Sequence, residues 1–306
     1  MGALCAALAT VRPEYFARGN LIDMFLANLP VLIIAAGMTL VMLTGEIDIS
    51  VGSAFAVSAV AAGVLAKAGV PTPLVFVFIC LIGAALGAVN GALVAYLRLP
   101  SIVVSLAMMI ALRDALRWST QGAWVQDLPA GFQWMGLSQR AYPLAAGALV
   151  AALIAGVGWG LRYTAAGRLL YATGSSPDAA RLAGANTALV KLSAFACLGA
   201  LTGLAAIVNA MRFNQIPANT GLGLELKVVA AVVVGGTAIT GGRGTLTGTV
   251  LGVVLLGAIG PALTFLGVSA HWERAIQGII ILIAVAADAL PRRSMTYGDR
   301  QRAARA

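Results

Sequence analysis

The residues that could carry chemistry are few in this chain, and they are not arranged as a catalytic site. Its 306 residues include one histidine, three cysteines and 11 acidic residues. The sequence contains no H-E-x-x-H motif, no nucleophile elbow and no phosphate-binding G-x-x-x-x-G-K-[ST] loop, and Lys67, Lys191 and Lys227 stand in no such setting. The lone His271 precedes Trp272, which favours an interfacial anchor over a metal ligand. We therefore expect that this chain is not an enzyme and that it binds neither a metal nor a cofactor by itself.

A second group of polar residues lies within or beside apolar segments, where ionisable side chains are costly and therefore suggest function. Glu46 and Asp48 occur in a short turn, and Glu225 stands at the start of an apolar segment. These carboxylates are either solvated or paired locally, or they titrate or bind an ion. Asn90 is an amide deep in an apolar run, where a hydrogen bond between helices explains it as well as contact with a transported molecule.

These polar residues must be positioned by helices within a lipid bilayer. The chain is 60% hydrophobic and 10% charged, with a mean hydropathy of +0.93, which leaves too little polar surface for a water-soluble globule. A spanning helix needs roughly 20 mostly apolar residues. Stretches of about this length lie at residues 26–43, 51–66, 73–96, 102–118, 142–161, 189–211, 226–239, 246–266 and 275–290. Residues 2–11 are half as long and are interpreted as the remnant of a further span.

The sequence thus predicts an all-α polytopic membrane protein, a bundle of nine or ten transmembrane helices. A single transmembrane domain would occupy residues 1–290, followed by a basic cytoplasmic tail at residues 291–306. Cys5, Cys80 and Cys197 all fall in apolar segments without paired spacing, so we expect buried thiols and no disulfide.

The net charge of +9 indicates membrane orientation, and we expect lipid rather than nucleic acid as the surrounding partner. Two basic clusters stand out, one of Arg162, Arg168, Arg181 and Lys191 and one of Arg292, Arg293, Arg300, Arg302 and Arg305. Basic residues near the ends of spans mark the cytoplasmic side. Four predicted spans separate the clusters, and an even number returns the chain to the side it left, so both clusters are predicted to be cytoplasmic. The same counting places residues 119–141 outside and the turn at residues 45–50 inside.

The most basic connection between spans, residues 164–191, reads TAAGRLLYATGSSPDAARLAGANTALVK and has local order of its own. Ser176 can cap a helix whose first residue is Pro177 and whose first turn holds Asp178, which suits the positive end of the helix dipole. Gly184 is placed to end this helix. A helix so short needs a partner to pack on, so the segment is predicted to be a docking surface; an ordinary solvated connector is the alternative.

Motifs in this segment and elsewhere resemble one family. They are GRLLYATG at residues 167–174 with AARLAG at 179–184, LTGEIDISVGS at 43–53, NG at 90–91, and GLELKVVAAVVVGGT at 223–237 followed by GGRGT at 241–245. In this order along the chain, they are similar to the signatures of permease subunits of bacterial ABC importers for simple sugars. That group includes the ribose, rhamnose and autoinducer-2 permeases, and the resemblance covers roughly residues 20–288.

Two further stretches, TQGAWVQDLP at residues 120–129 and NQIPANTG at 214–221, look most like the rhamnose and autoinducer-2 branch. The sequence departs from the family pattern in three places. The first span is truncated, Glu46 replaces a residue that is usually small or uncharged, and Asp114 stands where an Arg-Gly pair is more familiar.

The resemblance implies a division of labour between subunits. The chain would form the membrane path for a monosaccharide or sugar-like molecule in the bacterial inner (cytoplasmic) membrane, as a multi-pass protein. A second permease, identical or related, would complete the path, a separate ATPase carrying ATP and Mg would bind beneath it, and a periplasmic sugar-binding protein would deliver the substrate. The coupling loop, residues 162–188, would seat in the ATPase. The coupling residues implied by the motifs are Gly167, Arg168, Tyr171, Gly174, Ser176, Pro177, Asp178, Ala179, Ala180, Arg181 and Gly184.

A sugar path needs amides that match hydroxyl groups and aromatic faces more than it needs charge. The candidates are Asn90, Trp118, Trp124, Asn214, Gln215 and Asn219, and the last four could equally belong to outer loops that receive the binding protein. Residues 41–60 and 234–253 look alike, which suggests a weak internal repeat of the kind that borders the path in transporters.

A self-sufficient secondary transporter driven by protons or sodium is the competing class. In such a protein Glu46, Asp48 and Glu225 would titrate or coordinate the ion. A channel is a weaker third reading. The basic cytoplasmic segment separates these classes, because a secondary transporter does not need one.

Overall fold

The computed structural model describes residues 12–269, 272, 275–276, 278–279 and 282–283. The predictions made for residues 2–11, for His271 and for the tail at residues 291–306 lie outside this part of the chain, as does most of the predicted span 275–290. The described residues form ten α-helices: α1 (Arg18–Leu43), α2 (Val51–Lys67), α3 (Thr72–Ala95), α4 (Ser101–Thr120), α5 (Tyr142–Tyr163), α6 (Ala165–Ser175), α7 (Pro177–Leu182), α8 (Thr187–Ala210), α9 (Leu224–Val234) and α10 (Leu246–Phe265). An isolated bridge between Val125 and Ile216 is the β-pairing found among them.

The predicted all-α membrane architecture is confirmed. Five helices, α1, α3, α5, α8 and α10, are long and apolar enough to cross a membrane, and α2 is a shorter apolar helix. α4 has 20 residues but carries Arg113, Asp114 and Arg117. The sequence placed each of these seven helices within a few residues of its observed position, apart from the first eight residues of α1.

The predicted span at residues 226–239 is wrong in its length. The helix there, α9, has 11 residues and ends at Val234, so it is about 16 Å long, roughly half of the hydrocarbon core. The apolar composition continues beyond this point, but Gly236 adopts φ +87° and Gly235 lies against the backbone of Gly248, so the chain turns. Residues 235–245 therefore form a loop rather than the end of a span.

α1 is the central helix of the bundle. In its apolar stretch 78% of the residues are buried, against 22% in α3 and 17% in α5, which therefore lie at the periphery. α3 and α8 pack backbone to backbone, because Gly83 lies directly against the carbonyl of Gly199 and Gly87 lies against that of Phe195. Small residues permit such close approach in membranes.

Two non-helical segments and the end of one helix meet at one end of the bundle, which we call the inner end after the predicted topology; the opposite end is called the outer end. They are the turn at residues 44–50 between α1 and α2, the loop at residues 235–245 between α9 and α10, and the end of α6. The amide of Gly242 donates to the carbonyl of Leu43 at 2.9 Å, and Gly174 lies against both residues. The turn and the basic segment predicted to share the cytoplasmic side are thus brought together.

Candidate coupling surface and translocation path

The basic segment between α5 and α8 consists of two capped helices. The Thr164 hydroxyl accepts a hydrogen bond from the Gly167 amide at 3.1 Å and starts α6. The Ser176 hydroxyl accepts from the Ala179 amide at 3.3 Å and starts α7. The cap predicted at Ser176 is confirmed, and α7 ends at Leu182, two residues before Gly184, which adopts φ +87°.

α7 presents one face to solvent and buries the other. Arg181 lies along its own helix, where its guanidinium bonds the Asp178 carboxylate at 2.8 Å. Ala180 is 6% exposed, so it packs within the chain and is not free to touch a partner. Leu182 is 91% exposed and is the most accessible large apolar side chain among the described residues. The sequence reading missed Leu182, although an apolar residue ending a short polar helix was a usable signal.

α6 is fixed to both inner turns by close contacts. Gly174 has no room for a Cβ, which would overlap the carbonyl of Leu43 and approach the Gly242 amide. The Tyr171 hydroxyl donates to the carbonyl of Gly244 at 3.0 Å. Burial raises the pKa of the Tyr171 phenol, so it remains a neutral donor. Arg168, in contrast, is exposed on the surface of α6.

A further tie joins the start of α8 to the turn at residues 44–50. The Lys191 ammonium forms an ion pair with the Glu46 carboxylate, and the side chains are 21% and 15% exposed. In the same turn, Asp48 accepts from Asn90 at 3.1 Å, and the Asn90 amide also donates to Ser50 at 2.9 Å. These carboxylates therefore have partners within the chain.

A polar cleft of about 610 Å³ lies beside this ion pair, between α7 and the connection of α3 to α4. Its lining includes Arg98, Pro177, Arg181, Asn186 and Lys191. The exposed face of α7 and this cleft together form what we call the coupling surface.

The structure separates Asn90 from the other path candidates. Asn90 is 1% exposed and lies near the inner end of α3. Trp118 is 79% exposed near the outer end of α4. The Asn214 side chain accepts from Gln133 at 3.0 Å and ties two outer loops together. Gln215 lines a cavity of about 200 Å³ with Asn209, Thr220 and neighbouring residues of α2 and the outer loop. Trp124 and Asn219 are exposed on the same outer side.

The outer loop between α4 and α5 packs on the segment that follows α8. Val125 and Ile216 exchange backbone hydrogen bonds of 3.1 and 2.8 Å. Trp134 is half-buried and meets Tyr142 edge to face, with ring centroids 5.3 Å apart. The loop is therefore an ordered outer cap rather than a free connector.

Two charged residues within the bundle were not proposed as path residues from the sequence. Arg113 is 8% exposed, in the middle of α4, and its guanidinium donates to the carbonyl of Thr220 at 2.8 Å. Glu225 accepts from the Gly223 amide at 3.2 Å through one oxygen, while its other oxygen is buried without a partner. An arginine inside an apolar run was the signal that could have identified this pair.

Comparisons with known proteins agree with this architecture. Residues 20–285 match the family described as branched-chain amino acid transport system / permease component. The chain is 37% identical over 282 residues to the autoinducer 2 import system permease protein LsrC of Salmonella typhi, which covers 90% of this chain and 79% of that protein. It is 38% identical over 257 residues to the protein of the same name from Escherichia coli (strain K12 / DH10B), which covers 84% of this chain and 75% of the relative.

No solved structure is significantly similar to the chain. The resemblance to import permeases that the motifs indicated is confirmed by both relatives. Because the match spans most of its length, the chain belongs to the permease family described as branched-chain amino acid transport system / permease component.

Proposed function

We propose that this chain is the membrane-spanning subunit of an ATP-driven importer in the bacterial inner membrane, where it forms the path for a monosaccharide or sugar-like molecule. Autoinducer 2 is the favoured substrate because both relatives are named for its import, and rhamnose is the alternative. The assembly includes a separate ATPase that carries ATP and Mg, a second permease, and a periplasmic binding protein.

The observation that carries the coupling role is the contrast between the two faces of the basic segment. Outward, α7 exposes Leu182, which is 91% exposed, next to the ion pair of Arg181 and Asp178 and beside the polar cleft. Inward, α6 is clamped through Gly174 to both inner turns. A passive connector needs neither an exposed apolar side chain nor a tight contact with the turns. A segment that transmits movement from an ATPase to the helices needs both.

Two of the three carboxylates that a secondary transporter would titrate, Glu46 and Asp48, already have partners in the chain. Glu46 is paired with Lys191, and Asp48 accepts from Ser50 at 2.6 Å and from Asn90. These contacts favour structural roles for both acids and support the ATP-driven reading over the ion-coupled one.

The test is a variant of the exposed anchor, Leu182→Glu, with Thr187→Ala as the control at the start of α8. Leu182 is outside the packed core, so we expect the permease to insert and fold normally. Burying a carboxylate against an ATPase should weaken the complex by about tenfold or more. ATPase co-purification and ATP-dependent uptake of autoinducer 2 in proteoliposomes are the measurements.

Two results would contradict the proposal. Wild-type ATPase binding by Leu182→Glu would remove the coupling role from α7. Uptake by this chain alone under a proton or sodium gradient, with no ATPase present, would favour the secondary transporter.

A further inference from the structure

A non-helical segment that includes a turn enters the bundle from the outer side. Ile216 lies against Gly63 near the outer end of α2, whereas Gly221 lies against Gly52 in its first turn. Gly63 and Gly52 are separated by about 16 Å along α2. Residues 216–221, which contact both, are non-helical, with a turn closed by the hydrogen bond from the Thr220 amide to the Pro217 carbonyl at 3.1 Å. Such backbone is tolerated at membrane depth only where it is buried in protein or lines a water-filled cavity.

Arg113 and Glu225 lie where this segment ends. Arg113 is about 18 Å along α4 from its first residue and about 10 Å from its last, so it lies well inside the helix, nearer its last residue. Its guanidinium holds the carbonyl of Thr220. Glu225 lies beside Gly52, at the amino end of α2 and in the first turn of α9, and both helix dipoles favour its negative charge.

Arg113 and Glu225 have hydrogen-bonding groups that the described residues leave unused. A guanidinium has five N–H donors, and among the described residues Arg113 uses one of them, on Thr220. Glu225 has a buried oxygen that accepts from no group in the described part of the chain. The two charges interact electrostatically, but they do not form an ion pair within 4.0 Å. Thr220, which Arg113 holds, adjoins Gly221, and both Gly221 and the free oxygen of Glu225 lie against Gly52.

The surroundings point to a path rather than to lipid. Asp114 and Arg117, which follow Arg113 on α4, pair at 3.4 Å with side chains 64% and 60% exposed. Charged side chains within a span are rarely in contact with lipid, so the face of α4 that carries Asp114 borders water or protein. Thr220, whose carbonyl Arg113 holds, also lines the cavity of about 200 Å³ together with the amides of Asn209 and Gln215.

We propose that Arg113 and Glu225 form the recognition centre for the transported molecule, and that this molecule is a small uncharged compound with hydroxyl groups. A hydroxyl both donates and accepts, so one ligand hydroxyl can donate to the free oxygen of Glu225 and accept from an N–H of Arg113. A neighbouring hydroxyl or carbonyl oxygen accepts from a further N–H. The opposite charges of the centre sum to zero, which favours a neutral ligand. This inference rests on the proposed function, because it requires that the chain forms a path.

The test uses the complete importer, with permease, ATPase and binding protein in proteoliposomes, and two labelled probes, autoinducer 2 and L-rhamnose. The variants are Glu225→Gln, which keeps the shape of the side chain, and Arg113→Gln. Lys67→Gln is the matched control, because it removes a cation from an exposed position at the outer end of α2. Losing a hydrogen bond to a charged group should lower uptake about tenfold.

The ratio of uptake of the two probes distinguishes recognition from damage to the fold. A recognition centre predicts that Glu225→Gln changes this ratio while the ATPase still co-purifies, since the probes present their hydroxyls differently. A purely structural role lowers both rates by the same factor, and that result, or wild-type uptake by both variants, overturns the inference while leaving the proposed function intact. If Arg113→Gln fails to assemble, the isosteric Glu225→Gln decides alone. If the wild type imports neither probe with ATP, the proposed function fails and the inference fails with it.

Discussion

The ion pair between Lys191 and Glu46 should stabilise the inner end of the bundle by a measurable amount. It joins the start of α8 to the turn between α1 and α2, and its side chains are only 21% and 15% exposed. We predict that Glu46→Gln destabilises the permease, because the Lys191 ammonium is then left mostly buried without its counter-charge.

The magnitude follows from this burial. Exposed ion pairs contribute about 0.2–1 kcal/mol, while removing one partner of a fully buried pair costs about 3–5 kcal/mol. A pair that is four-fifths buried should fall between these limits, at about 2 kcal/mol. For a chain of this length about 2 °C corresponds to 1 kcal/mol, so the melting temperature should fall by about 4 °C.

A double-mutant cycle in detergent-solubilised protein measures the coupling free energy between Glu46 and Lys191. Glu46→Gln, Lys191→Gln and the double variant are compared by thermal unfolding, and we expect the double variant to be less destabilised than the sum of the single variants. Solvent screens this pair weakly because it is mostly buried, so raising the salt concentration should change the result little. Additivity within about 0.5 kcal/mol, or single variants that melt with the wild type, would show that the contact contributes nothing.

Three further outcomes are expected. Gly174→Ala should lower uptake while the ATPase stays bound, because a Cβ at this position would collide with the Leu43 carbonyl. The cost of this collision is about 1–3 kcal/mol. Wild-type uptake by this variant would show that α6 does not transmit movement. Ser176→Cys should react with a membrane-impermeant thiol reagent only in inside-out vesicles, and labelling of intact cells would reverse the topology. Trp124→Ala, at a side chain 48% exposed, should weaken delivery at limiting binding protein while basal ATP hydrolysis is unchanged, whereas Trp134→Ala should also impair folding because Trp134 packs on Tyr142.

The long helices could be predicted because residues adjacent in sequence determine where they begin. Pro71 precedes α3, which begins at Thr72, and Pro100 precedes α4, so each apolar run is bounded by residues that start helices. Hydropathy alone could not shorten the predicted span at residues 226–239, since Val234 and Ile239 are equally apolar. The turn at Gly235 is fixed by its contact with Gly248, which the order of residues does not reveal.

The sites were less predictable because their partners are distant in sequence. Arg113 bonds a carbonyl 107 residues away, and Lys191 pairs with an acid 145 residues away. The buried and exposed faces of α7 could not be predicted either, because six residues make fewer than two helical turns and show no hydrophobic periodicity. The cap at Ser176 could be predicted, because its hydroxyl accepts from the Ala179 amide only three residues away.

The two shortest apolar helices connect the coupling segment to the polar centre. The turn at residues 44–50 leads into α2, and the loop at residues 235–245 follows α9. α6 touches both connections through Gly174. The amino ends of α2 and α9 meet at Gly52 and Glu225, and Glu225 is about 15 Å from the loop along α9. Closely packed interiors transmit displacement instead of absorbing it. A movement of α6 by the ATPase would therefore reach Glu225 from two directions, while α3 and α8 could stay locked together by their glycine contacts.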